Sequence, residues 1–458
     1  MRLMPRLTAF ASISVVAVAT AALGAPPAAV AAGGSPPQSE DLLGNLVVTA
    51  GASRRLPKLG VVPSLSFEPA DVTLRSVVRR DLDLCGEVEL LPEEAAPEGV
   101  HLADAAVDVG AWADKGAEVV IRVSSRKTAP AEVEIRGEVY FVSRGSSPVF
   151  DRRLRAPAAE VRIESHRMAD LLIGALTGQA GGFASRMTFA SGSGKLRSIY
   201  TIDADGHGAE AISPPSSLAL APAFGKRDEV YYSASVNYGE YAIYTAAGAL
   251  VPLPVKGSVY GIALSKDGAQ VAVSIGVGST LKLFTGPDFA SIRPAHDAIG
   301  MVLHPTFTPS GRLAFAGEGR YGQRIYVDGK PISPETLFAS SPTFCNHPDG
   351  VRAIFAVRSG RGTDLVATGE LGGSLVRLTQ SQGSNGSPAC SPDGRLVAFF
   401  STRTTGEGPG LYLMRADGTR AKRISTLLGD SLRWGARSPR TAPAATGEAQ
   451  APTARSTL

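Results

Sequence analysis

The chain is poor in cysteine, with three in 458 residues, at positions 85, 345 and 390. So sparse and odd a set excludes a disulfide scaffold. Small buried thiols are the expected state. Cys345 and Cys390 nevertheless fall at nearly equivalent places in neighbouring repeats, where a bridge is open to them. Charge is also scarce: 19% of residues carry it and the net is only +4. No basic run interleaved with aromatics occurs, so a nucleic-acid footprint is excluded. Beyond the first thirty or so residues no run of about 18 apolar residues exists, so no spanning helix is expected. No Gly-x-Ser-x-Gly elbow is present, which removes the serine-hydrolase reading. The six histidines (101, 166, 207, 296, 304 and 347) never stand at metal-ligand spacing, and no paired-Cys motif accompanies them. Gly192-Ser193-Gly194-Lys195 lacks the upstream Gly of a P-loop, and Leu196 stands where a hydroxyl should hold magnesium. Asp203 and Asp205 open like a calcium loop but lack its distal Glu, so they read as a turn. No catalytic residue, metal or cofactor is expected.

What is present begins with an address. Arg2 and Arg6 precede an apolar stretch from Leu7 to Leu23, and small residues at Ala29–Ala32 suit a signal peptidase. Residues 1–32 are expected to be a cleaved leader, and the remainder a soluble, periplasmic chain. Losing Arg2 and Arg6 leaves a net charge of +2.

Glycine and proline, at 51 and 32, are abundant and evenly spread, as a turn-rich β fold requires. Four turns recur: Ser265-Lys266-Asp267-Gly268, Thr308-Pro309-Ser310-Gly311, His347-Pro348-Asp349-Gly350 and Ser391-Pro392-Asp393-Gly394, spaced 43, 39 and 44 residues apart. Pro presets φ, Asp or Ser bonds the backbone, and Gly takes the positive φ. A β-rich run follows each turn, then two more strands and a strand leading into the next turn. Four short strands at this period are propeller blades. Two further units precede them, with strands at Met187–Ala190, Ser198–Ile202 and Ala209–Ser213, then at Val230–Ser235, Tyr241–Thr245 and Leu250–Leu253. Innermost strands are expected at 217–224, 259–264, 302–307, 341–345, 386–390 and 431–436. The first unit lacks an innermost strand and the last one, Asp430-Ser431-Leu432-Arg433-Trp434, lacks outer ones. Ring closure solves both, with the last strand completing the first blade. Six blades over 183–437 are expected, with seven as the alternative.

Residues 44–177 show no such period. Strands are expected at Leu46–Thr49, Gly60–Pro63, Val119–Val123, Glu132–Val142 and Val149–Leu154. Helices are expected at Pro69–Asp83, with Val72, Val77, Val78 and Leu82 inward, at His101–Lys115, and at Glu164–Leu176, with Met168, Leu171, Leu172 and Leu176 inward and Gly178 at its end. The fold class is therefore a small α/β N-terminal domain followed by an all-β six-bladed propeller. Residues 438–458, rich in Pro, Ala, Thr and Ser, read as a disordered tail. Loops entering the innermost strands gather at one mouth of the channel and carry Ser258, Tyr260, Leu303, His304, Asn385 and Arg433. A Tyr or Arg there suits an interface.

Several stretches resemble the TolB family. Asn45–Thr49 followed by Gly60-Val61-Val62-Pro63 is similar to its first two strands. Trp112-Ala113-Asp114-Lys115-Gly116-Ala117 is similar to its helix-end step. Met168-Ala169-Asp170, then Leu176-Thr177-Gly178 and Phe183-Ala184-Ser185-Arg186-Met187-Thr188-Phe189 resemble its helix, linker and first propeller strand. The resemblance covers about residues 45–440. It implies a monomeric periplasmic adaptor of the Tol–Pal system, without enzymatic activity, serving outer-membrane integrity and envelope constriction at division. It implies two partners. A Pal-like outer-membrane lipoprotein would meet the propeller mouth at Ser258, Tyr260, Gly261, Leu303 and His304. A TolA-like inner-membrane protein would meet the N-terminal segment at Leu46, Val47, Val48 and Thr49. Ser258 and Leu303 stand where the family usually has His and Thr. The competing expectation is a periplasmic propeller that binds a peptide or glycan outside that system. A propeller serving a peptidase is disfavoured, because no catalytic domain accompanies this one.

Overall fold

The computed structural model describes residues 55–99, 105–193, 196–215, 217–235, 239–360 and 362–436. Among them no helix is long and apolar enough to cross a membrane.

The N-terminal part is one five-stranded sheet with helices on both faces. Its strands are β1 (Lys58–Val61), β2 (Glu89–Leu90), β3 (Val119–Ala129), β4 (Glu132–Phe141) and β5 (Phe150–Pro157), in the spatial order β2-β1-β3-β4-β5. β1 runs parallel to β2 and β3, and β3-β4-β5 form an antiparallel meander. Helices α1 (Pro69–Leu84) and α3 (Val161–Thr177) cover one face, and the short α2 (Val109–Asp114) covers the other. Alternation along β3 explains the two layers: Val119, Ile121 and Val123 join the α1–α3 core, while Val120 joins Trp112 and Tyr140. Close packing requires glycine at position 60, where a Cβ would lie 2.3 Å from the Trp112 ring.

Two helix expectations are corrected. The helix expected at His101–Lys115 is only Val109–Asp114 among the described residues, because the Asp108 side chain caps it by accepting from Ala111 N at 3.0 Å. Val72 is exposed, and Leu74 takes the inward position on α1. Helix α3 ends, as its sequence suggests, at Gly178 with φ +83°. The strand expected at Leu46–Thr49 lies outside the described residues.

The remainder is six four-stranded blades. The innermost strands are Asp430–Ala436, Leu218–Phe224, Val259–Leu264, Leu303–Phe307, Ala339–His347 and Asn385–Cys390, for blades one to six. Closure joins the two ends of the propeller. Asp430–Ala436 pairs antiparallel with Ser185–Ser193, setting Trp434 opposite Met187 and Arg433 opposite Thr188. Blades one and two also touch edge to edge through a single parallel bridge, Arg197 with Leu218. Of the repeated turns, that of blade six packs tightly against its neighbour. At Gly394, φ is +75° and a Cβ would lie 2.2 Å from the Asn346 carbonyl of the neighbouring blade.

All six innermost strands share a defect that the turn repeat does not announce. Each carries a register shift against its neighbour near mid-strand. In five of them a non-glycine residue there has positive φ: Ala221, His304, Ser341, Ser387 and Ser431, at 49–54°. Four of these precede a proline (Pro222, Pro305, Pro342 and Pro388). An innermost strand has no neighbour on its channel side, so a missing N–H costs no ladder bond there. The bulges bend the strands around the pore.

Cys345 and Cys390 form a disulfide with Cα atoms 5.2 Å apart, which corrects the expectation of free thiols. The blades converge at the axis, and equivalent residues on adjacent innermost strands come within bridging distance. Cys85 remains a buried thiol, pushed by burial up to about 12. The hydrophobic core is continuous from the N-terminal sheet into blades six and one: Leu59, Ile121, Met168 and Leu172 belong to one cluster with Phe183, Phe189, Phe400, Leu413 and Leu432.

Candidate functional site: the propeller channel and the domain junction

Because all innermost strands run the same way, the channel has a front mouth at their starts and a rear mouth at their ends. Of the residues singled out from sequence, Ser258, Tyr260, Gly261, Leu303 and His304 belong to the starts of their strands, at the front, whereas Arg433, expected there too, lines the cavity at the rear. Ser258 is half-buried and its Oγ accepts from Tyr241 N at 3.2 Å. The Tyr260 ring lies 5.7 Å from the Tyr241 ring. Gly261 sits against the next blade, where a Cβ would be 2.5 Å from Pro305. Leu303 is half-buried and pairs with Ala316. His304 occupies the strained bulge position, and its Nδ1 has no hydrogen-bond partner among the described residues. Crowding by protein, reinforced by the Arg433 cation, pushes His304 down to about 4, so it is neutral at physiological pH. Gly261 and Pro305, the residue after His304, therefore meet at the wall between blades three and four, while Ser258 and Tyr260 form a separate group with Tyr241. Leu46, Val47, Val48 and Thr49 lie outside the described residues.

Asn385 is not a mouth residue. It is fully buried and spent between blades five and six, where Ser401 Oγ donates to its Oδ1 at 2.8 Å and Thr363 Oγ1 donates to its carbonyl at 2.8 Å. Its Nδ2 donates to Asp364, which also accepts from Thr379 Oγ1 at 3.0 Å, from Ser381 N and from Arg377. Arg403 closes the group by donating to Ser401 Oγ at 2.9 Å and stacking 4.1 Å over Tyr412. Pairwise spacing in the sequence could not have found these contacts, because each joins a different strand.

The rear mouth opens into a cavity of about 450 Å³. Strand ends from all six blades line it, including Phe224, Leu264, Phe307, Phe344, Cys390 and Trp434.

The junction between the N-terminal part and the propeller carries the densest set of ionisable groups. Arg162 on α3 donates to Asp203 at 3.0 Å and to Asp205 at 2.6 Å in the first blade's hairpin turn. Arg80 on α1 donates twice to the Asp205 carbonyl, at 2.9 and 2.7 Å. Arg415 of blade six reaches Glu87 at 2.7 Å and the Gly86 carbonyl at 2.8 Å. His166 Nδ1 meets Asp81 at 2.6 Å, both side chains being almost wholly buried. Asp170 accepts from Phe183 N and Ala184 N at 2.7 and 2.8 Å, tying α3 to the chain that opens the propeller. His166, Asp203 and Asp205 lie close enough to hold a cation. Arg162 already neutralises both carboxylates, so the chemistry of the set is that of a salt-bridged hinge.

Protonation of this junction has a definite sign. Burial raises Asp81 to about 7, opposed by His166. Burial also raises Asp170 to about 7, against its two backbone donors. For His166, burial would lower the value, but Asp81 outweighs it and the net shift is upward. All three hold protons more tightly when folded, so their contribution is full at low pH and is lost as pH rises through the folded values. Asp205 is opposite: burial is overcome by His166 and Arg162, its value is depressed, and its contribution disappears in acid. Thermal stability should therefore climb as pH falls from about 8 to about 5, then turn over below about 4. Melting curves across that range check this, and Asp81→Asn with Asp170→Asn should flatten the limb between pH 5 and 8. A limb of unchanged slope in that double variant contradicts the assignment.

An α/β domain joined through a salt-bridged hinge to a closed six-bladed propeller, with no catalytic constellation among the described residues, defines the class: a two-domain propeller protein. Residues 44–147 match the family model described as the TolB amino-terminal domain. In that N-terminal part the chain is thus similar to the TolB family. A crystal structure of TolB from Acinetobacter baumannii is similar at a TM-score of 0.68 and 19% identity, covering 84% of this chain and 98% of that one. Among curated relatives, the Tol-Pal system protein TolB of Anaeromyxobacter dehalogenans is 26% identical over 237 residues, 50% of this chain and 54% of the relative. That of Methylococcus capsulatus is 28% identical over 181 residues, 39% and 42%. That of Albidiferax ferrireducens is 25% identical over 178 residues, 38% and 40%. The chain spans about half the length of the curated relatives it matches, or somewhat less.

Proposed function

We propose that this chain is a periplasmic adaptor of the Tol–Pal system that works by binding, without catalysis. The observation that carries this reading is the TolB amino-terminal domain in one chain with a six-bladed propeller. In this proposal residues 1–32 are an export signal. The front mouth, at Ser258, Tyr260, Gly261, Leu303 and His304, holds a Pal-like outer-membrane lipoprotein. The segment Leu46–Thr49 engages a TolA-like inner-membrane protein. The result is outer-membrane integrity and envelope constriction at division. The Cys345–Cys390 disulfide supports an oxidising compartment. Tyr260, half-buried beside Tyr241, has the form of an interface anchor: an aromatic body held by a neighbour with one face open.

Crosslinking in cells from position 260, followed by identification of the captured protein, tests the reading. The expected capture is a peptidoglycan-associated lipoprotein, with Tyr260→Ala weakening the complex by roughly tenfold or more, the usual loss for an aromatic anchor. Deletion of the gene should make the envelope leaky to detergent. Normal detergent resistance after deletion, together with no such lipoprotein captured, would overturn it.

A further inference from the structure

The rear cavity is electrostatically one-sided. Three cations line it, Lys226, Lys266 and Arg433, together with Thr306 and Asn346, and no carboxylate is among its lining residues. The acids beside the lining are engaged elsewhere: Asp228 with Arg186, Glu229 with Arg227 N at 2.8 Å, Asp393 with Ser391 Oγ, and Asp267 with Ser265 Oγ at 2.6 Å and Ala269 N at 3.0 Å.

Arg433 is the unusual member. It projects from the closing strand of blade one across the pore to blade four, where Nη2 donates to the Pro305 carbonyl at 3.2 Å. Its other hydrogen bond among the described residues runs from Nη1 to the Leu432 carbonyl at 3.5 Å. A guanidinium has five N–H donors. Here two neutral carbonyls take them, and no carboxylate lies within ion-pairing distance among the described residues. Enclosure by protein without a counter-charge lowers Arg433 to about 10. An enclosed cation in that state is costly until an anion joins it. Thr306 Oγ1 and the Asn346 amide have no side-chain hydrogen bond among the described residues and face the same cavity. The walls are aromatic, formed by Phe224, Phe307, Phe344 and Trp434. The volume is that of a small-ligand site.

We propose that the rear end of the channel is a binding site for a small carboxylate-bearing ligand, whose carboxylate pairs with Arg433 and whose apolar part lies against the aromatic wall. Lys226 and Lys266, both exposed, stand at the rim and draw the anion in. The cavity lies at the strand ends, away from Ser258 and Tyr260, although Arg433 also abuts Pro305, next to His304 of the proposed lipoprotein mouth; the proposal does not depend on that assignment.

Calorimetric titration of the full mature chain at low salt tests it with three probes: succinate, the dipeptide Phe-Glu, and inorganic phosphate. Saturable binding of a carboxylate probe is expected. Equal binding of succinate and Phe-Glu identifies a free carboxylate as sufficient, and preference for Phe-Glu identifies a peptide source using the aromatic wall. Arg433→Gln should weaken binding by about tenfold or more, since it removes a charge-assisted pair. Because Arg433 lies on the closing strand, Lys226→Gln with Lys266→Gln is the second variant. Its substitutions are at exposed positions, and it should weaken binding severalfold and reduce its salt dependence. No saturable binding of either carboxylate probe overturns the proposal. So does tighter binding of phosphate than of both, or affinity unchanged in Arg433→Gln and in the double lysine variant.

Discussion

A chain ended at Gly429 should fail to form a stable propeller, whereas one ended at Ala436 serves as the folded reference. The strand between these two points supplies the innermost member of blade one. Removing it breaks the ladder to Ser185–Ser193, takes the buried Leu432, 1% exposed in the ring, out of the core, and strips the partner from Met187 and Thr188. It also removes a hydrogen bond between blades one and six, Ser431 N to Ser387 Oγ at 3.0 Å. Burial of Leu432 is worth about 2 kcal/mol. The lost ladder bonds add about 1 kcal/mol each, so the total is on the order of 5 kcal/mol. Domains of this kind are stable by only about 5–15 kcal/mol. An open β edge would add a tendency to aggregate. The shortened chain should melt at least about 10 °C below the reference or be recovered only as aggregate, and adding the missing strand as a peptide should restore part of the loss. Equal melting temperatures of the two chains would show that the ring does not need its closing strand.

The second large effect is expected at a residue that no motif marks. Asp364 is buried between blades five and six and accepts from Arg377, Thr379, Ser381 and Asn385. The Arg377 side chain is itself 7% exposed. Asp364→Ala strands that guanidinium in the interior and should cost about 3–5 kcal/mol. The cost arises from the unpaired charge more than from the lost pair. Arg377→Leu in the same chain should therefore recover most of it, because an apolar side chain needs no partner there. Urea unfolding of the two single variants and the double variant measures this. If the double variant is as unstable as the sum of the singles, the two residues are not coupled and the account of this interface is wrong.

Both effects show where sequence reading reaches its limit. Closure of the ring was legible because a blade lacking its innermost strand and a strand lacking its blade are complementary deficits along one chain. The network around Asp364 was not legible: its members come from four strands of two blades and share no spacing. Asn385 opens an innermost strand, the position of a mouth residue, yet its amide is turned into the wall. Helical periodicity places Val72 inward. Leu74, two residues on, is the one that meets the sheet, since α1 is also held by Arg80 against the first blade's turn.

By itself the sequence determined the periodic features: turns at regular intervals, the alternation of each strand, the helix ends at Pro69 and Gly178, and thereby six blades behind an α/β domain. These are local, and local preference is read from neighbours in the chain. The tertiary structure alone decided which distant groups meet. It paired Cys345 with Cys390, set His166 and Asp81 against the turn carrying Asp205, and carried Arg433 across the pore to Pro305. Such contacts depend on how six twisted sheets converge on an axis, and that geometry is a property of the assembled ring, absent from any single repeat.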